Sequence, residues 1–285
     1  MQLIRENRPY EDYLAALSPV NCDEPRVSFV AEHLMGRLSS QLESPEGAPW
    51  SDPETALVRL TYEYVRDKIA NSTPTTSGKM TWRASEVLNE KEGTCYGKAN
   101  LIAALLRKNG IPTGFAYQYL RETTTGPLVL HALNAVYLES LGGWVRLDAS
   151  HMPESTHRSP LEQAPAEFAA VDTAALIRPV RPELGEDSLP IVYAEPDAQL
   201  ARLFKQSTSL QELWAHRPAR LSGGDHDHDH EHEHGHDHGA ASSRRSNNSD
   251  IDDSLLDLLY GDPDDEEFSC GSGGCSSCSG GCGKG

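Results

Sequence analysis

The stretch Gly93-Thr94-Cys95-Tyr96-Gly97-Lys98-Ala99-Asn100 runs from a turn into a helix and carries one cysteine at the join. Glu92-Gly93-Thr94 is a turn signal. An apolar run follows at once through Ala99, Leu101, Ile102, Ala103, Ala104, Leu105 and Leu106. Lys108-Asn109-Gly110 ends it with a basic last turn and a glycine cap. Cys95 is therefore expected in the first turn of a buried helix. Free backbone N–H groups and the positive end of the helix dipole favour a thiolate there. Taken locally, a reactive thiol and a buried structural cysteine fit this pattern equally well.

Two downstream residues extend the pattern. His131 opens the strand-like run His131-Ala132-Leu133-Asn134-Ala135-Val136-Tyr137-Leu138, and Asp148 closes Trp144-Val145-Arg146-Leu147-Asp148. Taken singly, a strand histidine is commonly a satisfied core residue and a strand-terminal aspartate a turn former. Cysteine, histidine and acid, each at the end of a regular element, give the order that a Cys-His-Asp triad needs.

These residues resemble the transglutaminase-like superfamily of papain-like thiol enzymes. The resemblance rests on Gly93-Thr94-Cys95 with its helix, Gly110-Ile111-Pro112 followed by a strand, His131-Ala132 and Trp144-Val145-Arg146-Leu147-Asp148, with Ala84-Ser85-Glu86-Val87-Leu88 as lead-in. It covers roughly residues 50 to 150. Leu133 stands where the family often has Trp, and Ala149-Ser150 follow the aspartate where it often has Pro. The resemblance implies an α+β fold, with a cysteine-bearing helix packed on an antiparallel sheet. It implies Cys95 as nucleophile, His131 as its base and Asp148 as the group orienting the imidazole. The implied activity is acyl transfer on a peptide or amide carbonyl of a protein or peptide substrate, with no cofactor required.

The net charge of −18 is unevenly spread. From Ser222 onward, fifteen Asp and Glu face only Arg244, Arg245 and Lys284, leaving a mildly acidic body. No basic face for nucleic acid is present, and no apolar run approaches the roughly 18 residues of a membrane span. The first residues lack an apolar signal core, so a cytoplasmic, reducing setting and a free Cys95 are expected.

Residues 1–43 read as an N-terminal helical region, with Cys22 a bystander in the loop Ser18–Cys22. Ser44–Trp50 is a Pro/Gly linker. Residues 51–220 read as the transglutaminase-like domain. Ser51-Asp52-Pro53-Glu54 starts a helix reaching about Ala70, and Asn71–Lys79 is an exposed loop. Trp82 is expected in the core or the groove wall. Thr113–Leu120, the His131 strand and the Asp148 strand predict an antiparallel meander. Val171–Ile177 is a further element, Leu189–Tyr193 a strand, and Ala198–Trp214 one helix. His151 and His157 fall in the loop after Asp148, where surface positions and substrate contact are both open.

Residues 222–249 hold seven of the chain's twelve histidines, His226, His228, His230, His232, His234, His236 and His238, alternating with carboxylates. Such a run cannot bury a core. Its mixed N and O donors suit Zn²⁺, Ni²⁺ or Cu²⁺, and a solvated spacer is the other reading. Residues 250–285 hold an acidic, leucine-rich segment, Ile251–Tyr260, whose composition fits groove docking. Cys270, Cys275, Cys278 and Cys282 follow, with a spacing that four zinc ligands or a Gly/Ser/Cys filler would share. Three functions are left open: a cysteine-dependent acyl-transfer enzyme, a metal-handling protein that uses this tail, and a non-catalytic scaffold.

Overall fold

The computed structural model describes residues 2–42, 52–75, 79–150 and 177–222. Contacts divide the chain into Met1–His232 and Glu233–Gly285, and every described residue lies in the first unit. The described residues form an α+β fold.

The helices are α1 (Pro25–Leu42), α2 (Pro53–Lys68), α3 (Ala84–Glu90), α4 (Cys95–Lys108), α5 (Ala198–Gln206) and α6 (Leu210–Ala215). The strands are β1 (Ile4–Arg5), β2 (Ala70–Asn71), β3 (Glu92–Gly93), β4 (Thr113–Arg121), β5 (Leu128–Leu138), β6 (Gly143–Leu147), β7 (Asp187–Ser188) and β8 (Ile191–Val192). The main sheet has the order β6-β5-β4-β7, with every pairing antiparallel. The expected meander of β4, β5 and β6 is present, and β7 adds an edge strand beside Gln118 and Tyr119.

Local chemistry explains the elements around the site. Asp52 caps α2 by accepting the N–H groups of Glu54 and Thr55 ahead of Pro53. Thr94 caps α4 by accepting the Gly97 N–H at 3.3 Å, which makes Cys95 the first helical residue. Leu101, Ile102, Ala103, Ala104, Leu105 and Leu106 are fully buried, so α4 is apolar nearly all round, as a central helix must be. Glycine is required at 97, because a Cβ there would lie 2.8 Å from the Thr81 carbonyl oxygen and 2.9 Å from Val87. At its far end α4 is tied down by Arg107, whose guanidinium donates to the carbonyls of Thr113, Ala15 and Ala194.

The structure departs from the local periodicity in four places. Residues 1–43 are not helical throughout. Ile4 and Arg5 form β1, paired in parallel with Ile191 and Val192, and Tyr10–Tyr13 is a 3-10 turn before α1. The Ile4 N–H finds the Pro190 carbonyl at 2.8 Å, a partner that no local pattern reveals. β8 accordingly joins β1 rather than the main sheet, apart from a Phe115–Tyr193 bridge. Ala70–Asn71, at the start of the expected loop, forms β2 against β3. Ala198–Trp214 is two helices, because Ser209 restarts the chain as a cap for Glu212 while Glu212 accepts the Thr208 N–H.

Candidate active site

Cys95, His131 and Asp148 line one cavity of about 320 Å³. Three elements deliver them. Cys95 is half-buried at the N-terminus of α4. His131 lies on β5 opposite Gln118 of β4. Asp148 follows the end of β6, whose Leu147 pairs with Asn134. The register places the β6 end two to three residues along from His131, and the Asp148 carboxylate spans the gap. Its Oδ2 lies 2.7 Å from His131 Nε2. The charge of Cys95 acts on the same imidazole. With Nε2 engaged by Asp148, Nδ1 is the nitrogen left for the thiol.

Side chains flanking the three hold their spacing. The Tyr96 hydroxyl donates to the Leu130 carbonyl at 2.6 Å. The residue after the cysteine thus grips the residue before the histidine. Asn134 donates to the Ala99 carbonyl at 2.9 Å, a second tie between β5 and α4. Asp148 Oδ1 accepts both the N–H of Ser150 at 2.9 Å and its hydroxyl at 2.6 Å.

The electrostatics follow from burial and pairing. Burial works to lower the His131 pKa, but the charges of Asp148 and Cys95 and the hydrogen bond to Asp148 override it and hold the imidazole up at about 10. Burial would raise Asp148, which is 2% exposed; the charge and hydrogen bond of His131 and the donors of Ser150 hold it below the usual carboxylate range. An imidazolium facing a carboxylate is thus the favoured state of this pair.

Beyond these three, the cavity is walled by Asn71, Ser72 and Thr73 on one side and by Leu120, Val129, Trp214 and Arg217 on another. Glu122 accepts from Arg217 at 2.8 Å and from the Trp214 indole at 3.0 Å. Its carboxyl is held low by the Arg217 hydrogen bond. The C-terminal α6 therefore supplies part of a cleft whose reactive groups come from the central elements.

Residues 46–149 match the family model described as the transglutaminase-like superfamily. The chain carries a transglutaminase-like domain. This domain contains Cys95, His131 and Asp148, whereas Ser150, Arg178, Trp214 and Arg217 of the cavity lie beyond its matched end. Among solved structures, the chain is similar to a candidate cysteine protease from Cytophaga hutchinsonii, with a TM-score of 0.35 and 19% identity over 50% of this chain and 43% of that one. It is also similar to the periplasmic domain of TgpA from Pseudomonas aeruginosa, with a TM-score of 0.34 and 17% identity over 60% of this chain and 54% of that one. The chain thus spans about half the length of these structures. No curated protein matches it.

Cys22 is buried and does not line the cavity. Trp82 stacks on Phe204 at 4.7 Å and does not line the cavity. His151, His157, the histidines from His226 to His238 and the cysteines from Cys270 to Cys282 lie outside the described residues, as does the segment 250–260. Among the described residues no cluster of three or more His, Cys, Asp or Glu is arranged to hold a metal ion, and no helix is long and apolar enough to cross a membrane. Tyr96, Lys98, Asn71 and Ser150 are the site residues that sequence reasoning missed. Lys98 carried a signal, as a charged residue one turn after the cysteine, just ahead of the apolar run Leu101–Leu106.

Proposed function

We propose that this chain is a cysteine-dependent acyl-transfer enzyme acting on peptide or amide carbonyls, with Cys95 as nucleophile, His131 as acid and base, and Asp148 as the orienting carboxylate. The observation that carries the reading is His131, bonded to Asp148 through Nε2 and engaged by Cys95, at the wall of one cavity. The Cys95 thiolate attacks the carbonyl carbon, the C–S bond forms and the oxygen becomes an oxyanion. The backbone N–H of Cys95, first in α4 and without a helical acceptor, serves as one donor to it. As the oxyanion collapses, the C–N bond breaks and the imidazolium passes its proton to the departing amine. A thioester remains. Water or a second amine, losing a proton to His131, attacks the thioester and releases an acid or a new amide with the free thiol. Asp148 holds the imidazole in place through both halves.

The test is labelling of Cys95 by an acyl-directed thiol probe in wild type and in His131→Ala, mapped by peptide mass spectrometry, followed by a screen of peptide amides with and without an added amine. Fast labelling of Cys95 that falls sharply in His131→Ala supports the enzyme. Labelling of Cys22 alone, with Cys95 inert in both proteins, removes it.

A further inference from the structure

Lys98 is a buried ionisable group, close to Asp148, that this mechanism leaves unused. It is 2% exposed, one helical turn beyond Cys95 on α4, and forms no ion pair among the described residues. Its ammonium donates to the Ala149 carbonyl at 3.1 Å. Burying an ammonium without a paired carboxylate is costly, so something in the fold must hold it there. The charged groups around it are Asp148 and Asp67, which favour the cation, and Arg66, which opposes it. From the other side of the same turn, the Asn71 amide donates to the Ser150 carbonyl at 3.0 Å. Asn71 belongs to β2, which is paired with β3, and β3 leads through Thr94 into Cys95. The three residues Asp148, Ala149 and Ser150 are therefore held at successive points: the carboxylate by His131 and Ser150, one carbonyl by Lys98, the next by Asn71.

We infer that Lys98 and Asn71 are positioning residues for Asp148. They clamp the 148–150 turn to the elements that carry Cys95, so that the acid keeps its hold on His131 when the thiol reacts. One helix then presents the nucleophile and, a turn later, anchors the acid; the Cys95–His131–Asp148 spacing does not depend on the strand ends alone. Lys98 also places a cation near Asp148, which favours its ionised form; burial, the dominant influence, brings the Lys98 pKa down to about 8. This inference rests on the enzyme reading above and assigns these two residues a role within it.

The experiment measures the rate of Cys95 alkylation by iodoacetamide in the full chain, from pH 5 to 10, for wild type, His131→Ala, Lys98→Met, Lys98→Arg and Asn71→Ala. Melting temperatures and the ¹⁵N shifts of His131 are recorded in parallel. Lys98→Met is expected to slow alkylation at neutral pH about tenfold, the equivalent of one pKa unit, and to move the His131 Nε2 signal away from its hydrogen-bonded position. Lys98→Arg, which keeps charge and donors, is expected to recover most of the rate. Asn71 is exposed, so Asn71→Ala should fold and slow alkylation several-fold. If Lys98→Met does not melt cooperatively, Asn71→Ala carries the test. A folded Lys98→Met or Asn71→Ala with wild-type rate and an unmoved His131 signal overturns the inference. Wild-type Cys95 that is insensitive to His131→Ala would instead overturn the enzyme reading, and the two failures are distinguished by that arm.

Discussion

The imidazole of His131 is bonded to a carboxylate 2.7 Å away and shares its cavity with the Cys95 thiol. Two predictions belong to this residue scale. Asp148→Asn is expected to leave substrate binding intact and to lower turnover by about 10³-fold or more, because the neutral amide does not stabilise the imidazolium charge and its N–H₂ favours the wrong imidazole tautomer. Steady-state kinetics, separating KM from kcat, check it. The second prediction concerns pH. His131 has a folded-state pKa raised from 6.5 to about 10, so its contribution to stability is complete below about 6.5 and is lost as pH rises through about 10. Asp148 is shifted down, so its contribution is present above the unfolded carboxylate pKa of 3.8 and is lost as pH falls below it. Melting temperature should therefore be highest between these limits. The gap between wild type and His131→Ala should narrow steadily from pH 7 to pH 10. A gap that stays constant across that range would contradict the assigned shift.

At the scale of elements, the decisive junction is that of α4 with β5. Tyr96 and Asn134 each cross it with one hydrogen bond, to Leu130 and Ala99. Tyr96→Phe keeps the ring and removes the hydroxyl. The expected loss is about 1 kcal/mol of stability, with a fall in Cys95 labelling rate, read from denaturant melts and probe kinetics on the same samples. Gly97→Ala should cost more, about 1–3 kcal/mol, since its methyl meets a backbone carbonyl that cannot swing away. The start and end of α4 were legible in the sequence. A threonine cap, an unbroken apolar run and a glycine stop are information held within the segment itself. The position of Asp148 at the end of β6 was legible for the same reason, whereas His131, expected to open its strand, lies three residues inside β5 because Leu128, Val129 and Leu130 already pair with β4. The partners of Lys98 and Tyr96 were not legible. Which polar group of a buried helix meets which carbonyl depends on the neighbours that enclose it, here the 148–150 turn and β5.

For the whole molecule, Arg107 joins segments far apart in the chain. One guanidinium, 4% exposed, binds the carbonyls of Ala15, Thr113 and Ala194, so the N-terminal segment, β4 and the residues after β8 meet at the end of α4. Arg107→Met should cost about 3 kcal/mol by stranding buried carbonyls, measured by denaturant unfolding, and should do so without touching the Cys95 cavity. Zinc affinity measured with and without residues 222–285 addresses the metal-handling reading; affinity that disappears with those residues, while Cys95 labelling persists, is the expected result. The sequence by itself determined the α+β class, the cysteine at a helix start, the acid after a strand end and a strand carrying the histidine, though β5 begins at Leu128 and places His131 inside it. All of these rest on caps, turns and periodicities that act over a few residues. Only the tertiary structure decided that Ile4 pairs with Ile191, that β7 extends the sheet, that Trp214 of α6 and Arg217 just after it wall the cleft, and that Lys98 and Asn71 grip the turn after Asp148. Those contacts join residues tens to nearly two hundred positions apart, and their partners are chosen by packing and by the need to satisfy buried polar groups, which no short window of sequence contains.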